Sequence, residues 1–255
     1  MQQKTWNRLV QVATFLFVCF FALTSFKANA FSVESYFSET MENRLAITTA
    51  SETESFFDSR KSIYDSLQLE SIGLQRKVFE YGLKGMARLI QNGKVQANVL
   101  SIADLSQPSI NKRLYVIDLD NQQLLFNSLV AHGRRSGKDM ATAFSNKRSS
   151  NMTSLGFYLT GNTYNGSNGY SLKLEGLEYG INNNAMRRAI VVHGADYVSE
   201  NFPEVHNQTY IGRSQGCPAV PAEIAEPLID EIKDGTCLFI YYPNTTYLKR
   251  SSLLR

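Results

Sequence analysis

The run Ala189-Ile-Val-Val-His193-Gly194 constrains this chain more than any other stretch. Consecutive apolar and β-branched residues fit a buried strand, and the glycine behind His193 lets the backbone turn, so the imidazole is delivered to a strand end. Cys217 follows 24 residues later, inside Ile211-Gly-Arg-Ser-Gln-Gly-Cys-Pro-Ala-Val-Pro221. A thiol and an imidazole are a nucleophile and a base. A neighbouring imidazole that accepts the proton lowers a thiol from its ordinary pKa of about 8.5 by several units. Gly216 lacks a Cβ, so a substrate carbonyl can approach and the amides around Gly216 and Cys217 can face a developing oxyanion. His193, Cys217, Gly216 and Ser214 are therefore the candidate catalytic residues. Ser214 has two readings, a hydrogen-bond donor to the oxyanion or a brace for the loop that presents Cys217.

From Val99 onward, β-branched runs alternate with turn residues. Leu114 to Leu119 and Leu124 to Val130 read as the arms of a hairpin turning at Asp120-Asn121. Gly156 to Thr160, Ser171 to Leu174, Ala189 to His193 and Cys237 to Tyr242 read as further strands. Glu223 to Lys233 reads as a helix behind Pro221 with a break or kink at Pro227. Before these strands, Ser62 to Gly93 has helical spacing. Leu74, Val78, Met86, Leu89 and Ile90 share a face, Gly93 stands as the stop, and Gly82 and Gly85 imply close packing on the next domain. The expected fold class is mainly β with helices (α+β), a sandwich or open barrel with an N-terminal helical segment.

His193-Gly194 followed by Ser214-Gln215-Gly216-Cys217 resembles the active-site signature of the L,D-transpeptidases with a YkuD-like catalytic domain. Ser154-Leu-Gly-Phe-Tyr-Leu-Thr-Gly161 is similar to that family's Thr-Pro-x-Gly-x-Phe strand, and the run from about Arg113 to Tyr242 resembles its murein-transpeptidase branch. Three departures bear on substrate choice more than on the nucleophile. Gln215 stands where many members have His, Pro218-Ala219 replaces an apolar residue followed by Asn or Arg, and the loop from His193 to Cys217 is longer. The resemblance implies the same mixed β fold and a cysteine-dependent transpeptidase that cross-links peptidoglycan stem peptides through a Cys thioester. It also implies no metal or organic cofactor, and carbapenem-type inhibitors.

Residues 1–30 carry Lys4 and Arg8, an apolar core from Val12 to Leu23, then Ala28-Asn29-Ala30. This is the pattern of a secretory signal peptide, with an apolar segment shorter than the roughly 20 residues of a spanning helix. Bulky neighbours argue against Cys19 as a lipidation site. Secretion to the periplasm or cell envelope is expected, with no stable membrane insertion after cleavage. Removing residues 1–30 takes three of 26 basic residues and none of 23 acidic ones, leaving 23 of each. The basic balance that would suggest a nucleic-acid partner then disappears, and no phosphate-loop or dinucleotide-binding pattern replaces it. The expected divisions are a signal peptide (1–30), a flexible lead (31–60), a helical segment (61–98), a catalytic domain (99–243) and a C-terminal tail (244–255).

Cys217 and Cys237 remain in an oxidising compartment. A free nucleophile with a buried core thiol is the reading preferred here, and a disulfide between them is the alternative. His132, His193, His206 and Cys217 are too widely spaced for an ordinary zinc site. His206 lies in a polar loop. His132 precedes Gly133-Arg134-Arg135 and either lines the cleft or caps a strand. Arg213 either grips a substrate carboxylate through its guanidinium fork or is solvated. Two other functions stay open: a cysteine peptidoglycan hydrolase (carboxypeptidase or endopeptidase), and a catalytically silent wall-binding protein.

Overall fold

A computed structural model describes residues 54–255, together with Ser38 and Ser51. The signal peptide expected over 1–30 lies outside the described residues, and so does the lead expected over 31–60 up to residue 53, apart from those two serines. Residues 54–60, placed in that flexible lead by their polar composition, are helical. The reason is two aromatic side chains: Phe56 and Phe57 pack against the core, and Arg60 pairs with Asp120 at 3.0 Å.

Helix α1 (Ile63–Ser66) is short, and helix α2 (Arg76–Gln91) is the long one. The helical spacing read across 62–93 is thus interrupted between them, where Gln68 and Gly73 take positive φ. The stop at Gly93 is as expected. Its φ is +63, and the amides of Gly93 and Lys94 return to the carbonyls of Ile90 and Leu89 at 2.9 and 2.8 Å, closing the last turn. The strands are β1 (Val99–Asp104), β2 (Leu114–Asp118), β3 (Gln123–Ser128), β4 (Gly156–Gly166), β5 (Gly169–Gly176), β6 (Val191–Gly194), β7 (Ala219–Val220) and β8 (Cys237–Tyr241). They form one eight-stranded sheet in the order β3-β2-β1-β8-β4-β5-β6-β7. The β1–β8 and β6–β7 pairs are parallel and the rest antiparallel. The two edges approach each other just beyond β3, where the Ala131 amide bonds the Ala219 carbonyl at 2.8 Å. The sheet is therefore close to a barrel, an α+β fold of the expected class.

The β2–β3 turn forms because Asp118 accepts from the amides of Asp120 and Asn121, both at 2.9 Å. Helix α3 (Phe202–Val205) lies in the loop after β6. Helix α4 (Ala222–Ile232) runs through Pro227 and packs on β5 and β6 with Ala225, Leu228, Ile229 and Ile232 buried. Residues 244–255, read as a tail, include helix α5 (Thr245–Arg250) and bury Tyr247, Leu253 and Leu254. The buried Glu178 carboxylate ties this end to β4, accepting from the Phe157 amide at 2.9 Å, from the Tyr247 hydroxyl at 3.2 Å, and from Ser251 Oγ.

Helix α2 lies on β1 and β8, and its glycines are what let it lie so close. A Cβ on Gly85 would sit 2.0 to 2.6 Å from three atoms of the Phe157 ring, which is itself stacked on Phe239 at 4.2 Å. Alanine would gain about 1 kcal/mol of helix propensity. Overpacking against a ring that cannot retreat costs about 1–3 kcal/mol and wins. Gly85→Ala is expected to lower the urea midpoint of unfolding, and an unchanged or higher midpoint would show that the helix–sheet spacing relaxes freely.

Candidate active site

Strand β6 carries His193 between two neighbours: Ser171 of β5 lies opposite it on one side and Ala219 of β7 on the other. Cys217 stands two residues before Ala219, so the register of the short parallel β6–β7 pair brings the thiol loop alongside the imidazole strand. His193 is buried, and its Nδ1 lies 2.8 Å from the carbonyl of Gly194. A carbonyl only accepts, so Nδ1 carries the proton and Nε2 is left as the basic nitrogen.

The Cys217 thiol, also buried, donates to the carbonyl of Ala189 at 3.7 Å. No hydrogen bond joins Cys217 to His193 among the described residues. Ala189 closes the 3₁₀ turn Met186–Arg188 with φ 52 and ψ 43, a left-handed conformation that costs a non-glycine residue about 1–2 kcal/mol. That turn aims its carbonyl at the sulfur. Burial pushes the Cys217 thiol up, while the Val191 amide and the Arg188 guanidinium act in the opposite direction. The lowered thiol pKa expected from a cysteine beside a histidine is therefore corrected. Desolvation outweighs the groups that favour the thiolate, so the surroundings of the sulfur raise its pKa rather than lower it.

The loop from Ile211 to Cys217 is held at both ends. Ser214 donates its amide to the His132 carbonyl at 3.0 Å and accepts from the Arg134 amide at 2.8 Å. Its hydroxyl accepts from the Gly216 amide at 3.0 Å and donates to the Cys217 carbonyl at 2.7 Å. Of the two readings of Ser214, the geometry uses the hydroxyl inside the loop. The Gly216 amide is thereby occupied, and the Cys217 amide has no hydrogen-bond partner among the described residues. Gly216 has φ +125, and a Cβ there would lie 2.8 Å from the Met152 carbonyl. Thr153 links two loops, accepting from the Gly133 amide at 2.9 Å and donating to the Gly216 carbonyl at 3.4 Å.

Arg213 spends one guanidinium nitrogen on the carbonyls of Gly137 and Arg134, at 3.0 and 3.3 Å, with its plane 5.0 Å from the Tyr210 ring centre. His132 is buried beneath the loop, and its Nδ1 accepts from Arg113 at 2.8 Å. Arg113 is itself enclosed, donating also to the carbonyls of Val130 and Gln107. His206 is exposed, with its ring tilted 35° against Phe202 at a centroid distance of 4.0 Å. Cys217 and Cys237 are free thiols, and among the described residues no cluster of His, Cys, Asp and Glu is arranged to hold a metal ion. Sequence reasoning missed Arg113, Thr153, Arg188 and Ala189. The tandem Arg187-Arg188 just ahead of the strand is the one local signal that pointed there.

Burial, and then the Arg113 guanidinium, hold His132 down from 6.5 to about 4. The unfolded chain therefore takes up a proton that the folded chain refuses. This contribution is complete above pH 6.5 and is lost as pH falls toward 4, in all about 3 kcal/mol. Urea titrations at pH 7 and at pH 4.5 are expected to show this loss. In His132→Gln, which cannot titrate, the fall between those two pH values should be visibly smaller. Equal falls in the two proteins would place the acid sensitivity elsewhere.

An α+β sheet that presents a cysteine loop beside a strand-end histidine defines a class, a domain with a candidate thiol site. Residues 70–241 match the family described as the L,D-transpeptidase catalytic domain, and the chain belongs to that family. No curated protein matches the sequence. Among solved structures, an L,D-transpeptidase from Mycobacterium smegmatis is 15% identical, covering 57% of this chain and 59% of its own, with a TM-score of 0.35. The helical cell shape determining protein Pgp2 from Campylobacter jejuni is 15% identical over 64% of this chain and 57% of its own, with a TM-score of 0.37. Mycobacterium tuberculosis L,D-transpeptidase 1 is 14% identical over 57% and 62%, with a TM-score of 0.31. The chain thus spans about three fifths of the length of these solved relatives.

Proposed function

We propose that this protein is a cysteine-dependent L,D-transpeptidase that cross-links peptidoglycan stem peptides in the cell envelope. One observation carries the reading: the loop bearing Cys217 is paired against the strand bearing His193, whose Nδ1–H is engaged by the Gly194 carbonyl so that Nε2 is the free base. On substrate binding the thiol proton leaves the Ala189 carbonyl for His193 Nε2. The sulfur then attacks the carbonyl of the diaminopimelate residue of a tetrapeptide stem. The carbon–nitrogen bond to the terminal D-Ala breaks, and His193 returns the proton to the departing amine. The thioester left on Cys217 is opened by the side-chain amine of a second stem, whose proton passes to His193 and back to the sulfur. The unoccupied Cys217 amide is the donor that faces the oxyanion in both steps. Ser214 and Gly216 hold the loop in the shape these steps need. Arg213, through the guanidinium edge not bonded to Gly137 and Arg134, meets a substrate carboxylate, and His132 supports the loop from below.

Such chemistry needs a thiol, a base and backbone donors, with no metal or organic cofactor. Its place is the periplasm or cell envelope, in keeping with the leader pattern of residues 1–30. A carbapenem, whose strained lactam presents an acyl carbon to the same sulfur, is the expected inhibitor. Incubation of the mature protein with purified tetrapeptide-rich sacculi is expected to increase cross-linked dimers. Release of D-Ala without new dimers would make water the acceptor and the protein a carboxypeptidase, loss of existing dimers would make it an endopeptidase, and no change in any product would leave a silent wall-binding protein.

A further inference from the structure

We propose that Arg188 is a positioning residue whose guanidinium supplies the fixed counter-charge for the ionised Cys217 sulfur. The proposal rests on Cys217 being the nucleophile of the function set out above. It adds to that function a cation drawn from outside the cysteine and histidine stretches.

The guanidinium of Arg188 is half-buried, and every acceptor it has is neutral. One terminal nitrogen donates to the Ser145 carbonyl at 2.8 Å and to Ser154 Oγ. The other donates to the Met152 carbonyl and to Ser150 Oγ at 3.3 Å. None of the ion pairs among the described residues includes Arg188. A guanidinium withdrawn from water is ordinarily matched by a carboxylate, because an unmatched charge in a low-dielectric setting is costly. Its neighbours show where the missing anion forms. The second terminal nitrogen lies 3.1 Å from the point a Cβ on Gly216 would occupy, one residue before the nucleophile, and the next residue in the chain, Ala189, holds the thiol.

The other groups around the sulfur do not serve. Ala189 offers a carbonyl, which favours the thiol, while Val191 offers an amide, which favours the thiolate without supplying a full charge. Tyr197 is within electrostatic reach of Cys217, but burial pushes its phenol up to about 12, so it supplies no charge. Tyr158, which faces Arg188, is fully buried and is likewise held neutral. His193 begins as the base and gains a charge only by taking the proton. Arg188 is the cation in place before that transfer. When the proton moves from sulfur to His193 Nε2, the electron pair stays on the sulfur, and Arg188, which exchanges no proton, gains the anion it lacks.

The pH profile of Cys217 alkylation by iodoacetamide on the full chain tests this, with peptide mapping to separate Cys217 from Cys237. Arg188→Gln keeps an amide donor for Met152 or Ser154 but removes the charge; its midpoint is expected to move up by about one pH unit, with the rate at pH 7 falling about tenfold. Arg188→Lys, which keeps the charge and forfeits the hydrogen-bonding fork, is expected to stay near the wild-type midpoint. An unmoved midpoint in Arg188→Gln, an equal shift in both variants, or faster alkylation at every pH in Arg188→Gln, as a merely loosened loop would give, overturns the proposal. Alkylation requires no transpeptidation, so the Arg188 role can fail while the proposed function stands, and the reverse.

Discussion

Cys217→Ala is expected to abolish carbapenem acylation and dimer formation, a loss on the order of 10⁴-fold or more, while the protein stays folded. The size of the effect follows from the chemistry: without a covalent acyl carrier neither half of the transfer has a path. The retention of fold follows from the packing. The side chain is small and only weakly hydrogen-bonded, donating to the Ala189 carbonyl at 3.7 Å, so its removal costs about 1 kcal/mol through the sulfur-sized gap it leaves. Intact-mass measurement before and after exposure to a carbapenem is the check. The wild type should gain the mass of one opened lactam and the variant none, with melting temperatures within a few degrees of each other. A variant that still acquires the adduct, or still joins stems, would remove Cys217 from the mechanism.

His193→Ala is expected to slow acylation at pH 7 by roughly 10²- to 10⁴-fold, the usual consequence of losing a positioned proton-transfer group. Here the loss should depend on pH in a particular direction. Because burial pushes the Cys217 thiol up, the variant has to wait for solvent to ionise the sulfur, and its rate should climb with rising pH toward that raised value. The gap between variant and wild type should therefore narrow in alkaline solution. The measurement is the acylation rate between pH 6 and 9 for both proteins. A constant ratio across that range would mean that His193 shapes the site without moving the proton, and an unaltered rate at pH 7 would exclude it.

The choice of Cys217 and His193 as the residues to test rests on local sequence. A β-branched run closing on His193-Gly194 fits a strand that ends at a turn, and Ser214-Gln215-Gly216-Cys217 sets a thiol behind a glycine and small polar residues. The hairpin at Asp120-Asn121 and the stop at Gly93 were legible on the same grounds, since an Asp cap and a positive-φ glycine act within a few residues. Two expectations failed because composition was outvoted by burial. Residues 54–60 and 245–250 look like polar ends, yet a few aromatic and aliphatic side chains dock each on the core. The role of Arg188 was not legible beyond the tandem Arg187-Arg188, because its partners, Ser145, Met152 and Ser154, are more than 30 positions away in the chain.

From the sequence alone came the mixed strand-rich class, the family resemblance, the thiol and imidazole worth testing, and the glycines that let α2 lie against the sheet. These are properties of periods, turns and residue types, which neighbouring residues settle among themselves. The tertiary structure decided that His193 meets Ala219 across two parallel strands, that Ser214 spends its hydroxyl within its own loop, and that Arg113 locks beneath His132. It also decided that burial pushes the Cys217 thiol up. Whether a cysteine rests as thiol or thiolate depends on how much water its surroundings exclude and which charges remain nearby, and both are set by segments that only folding brings together.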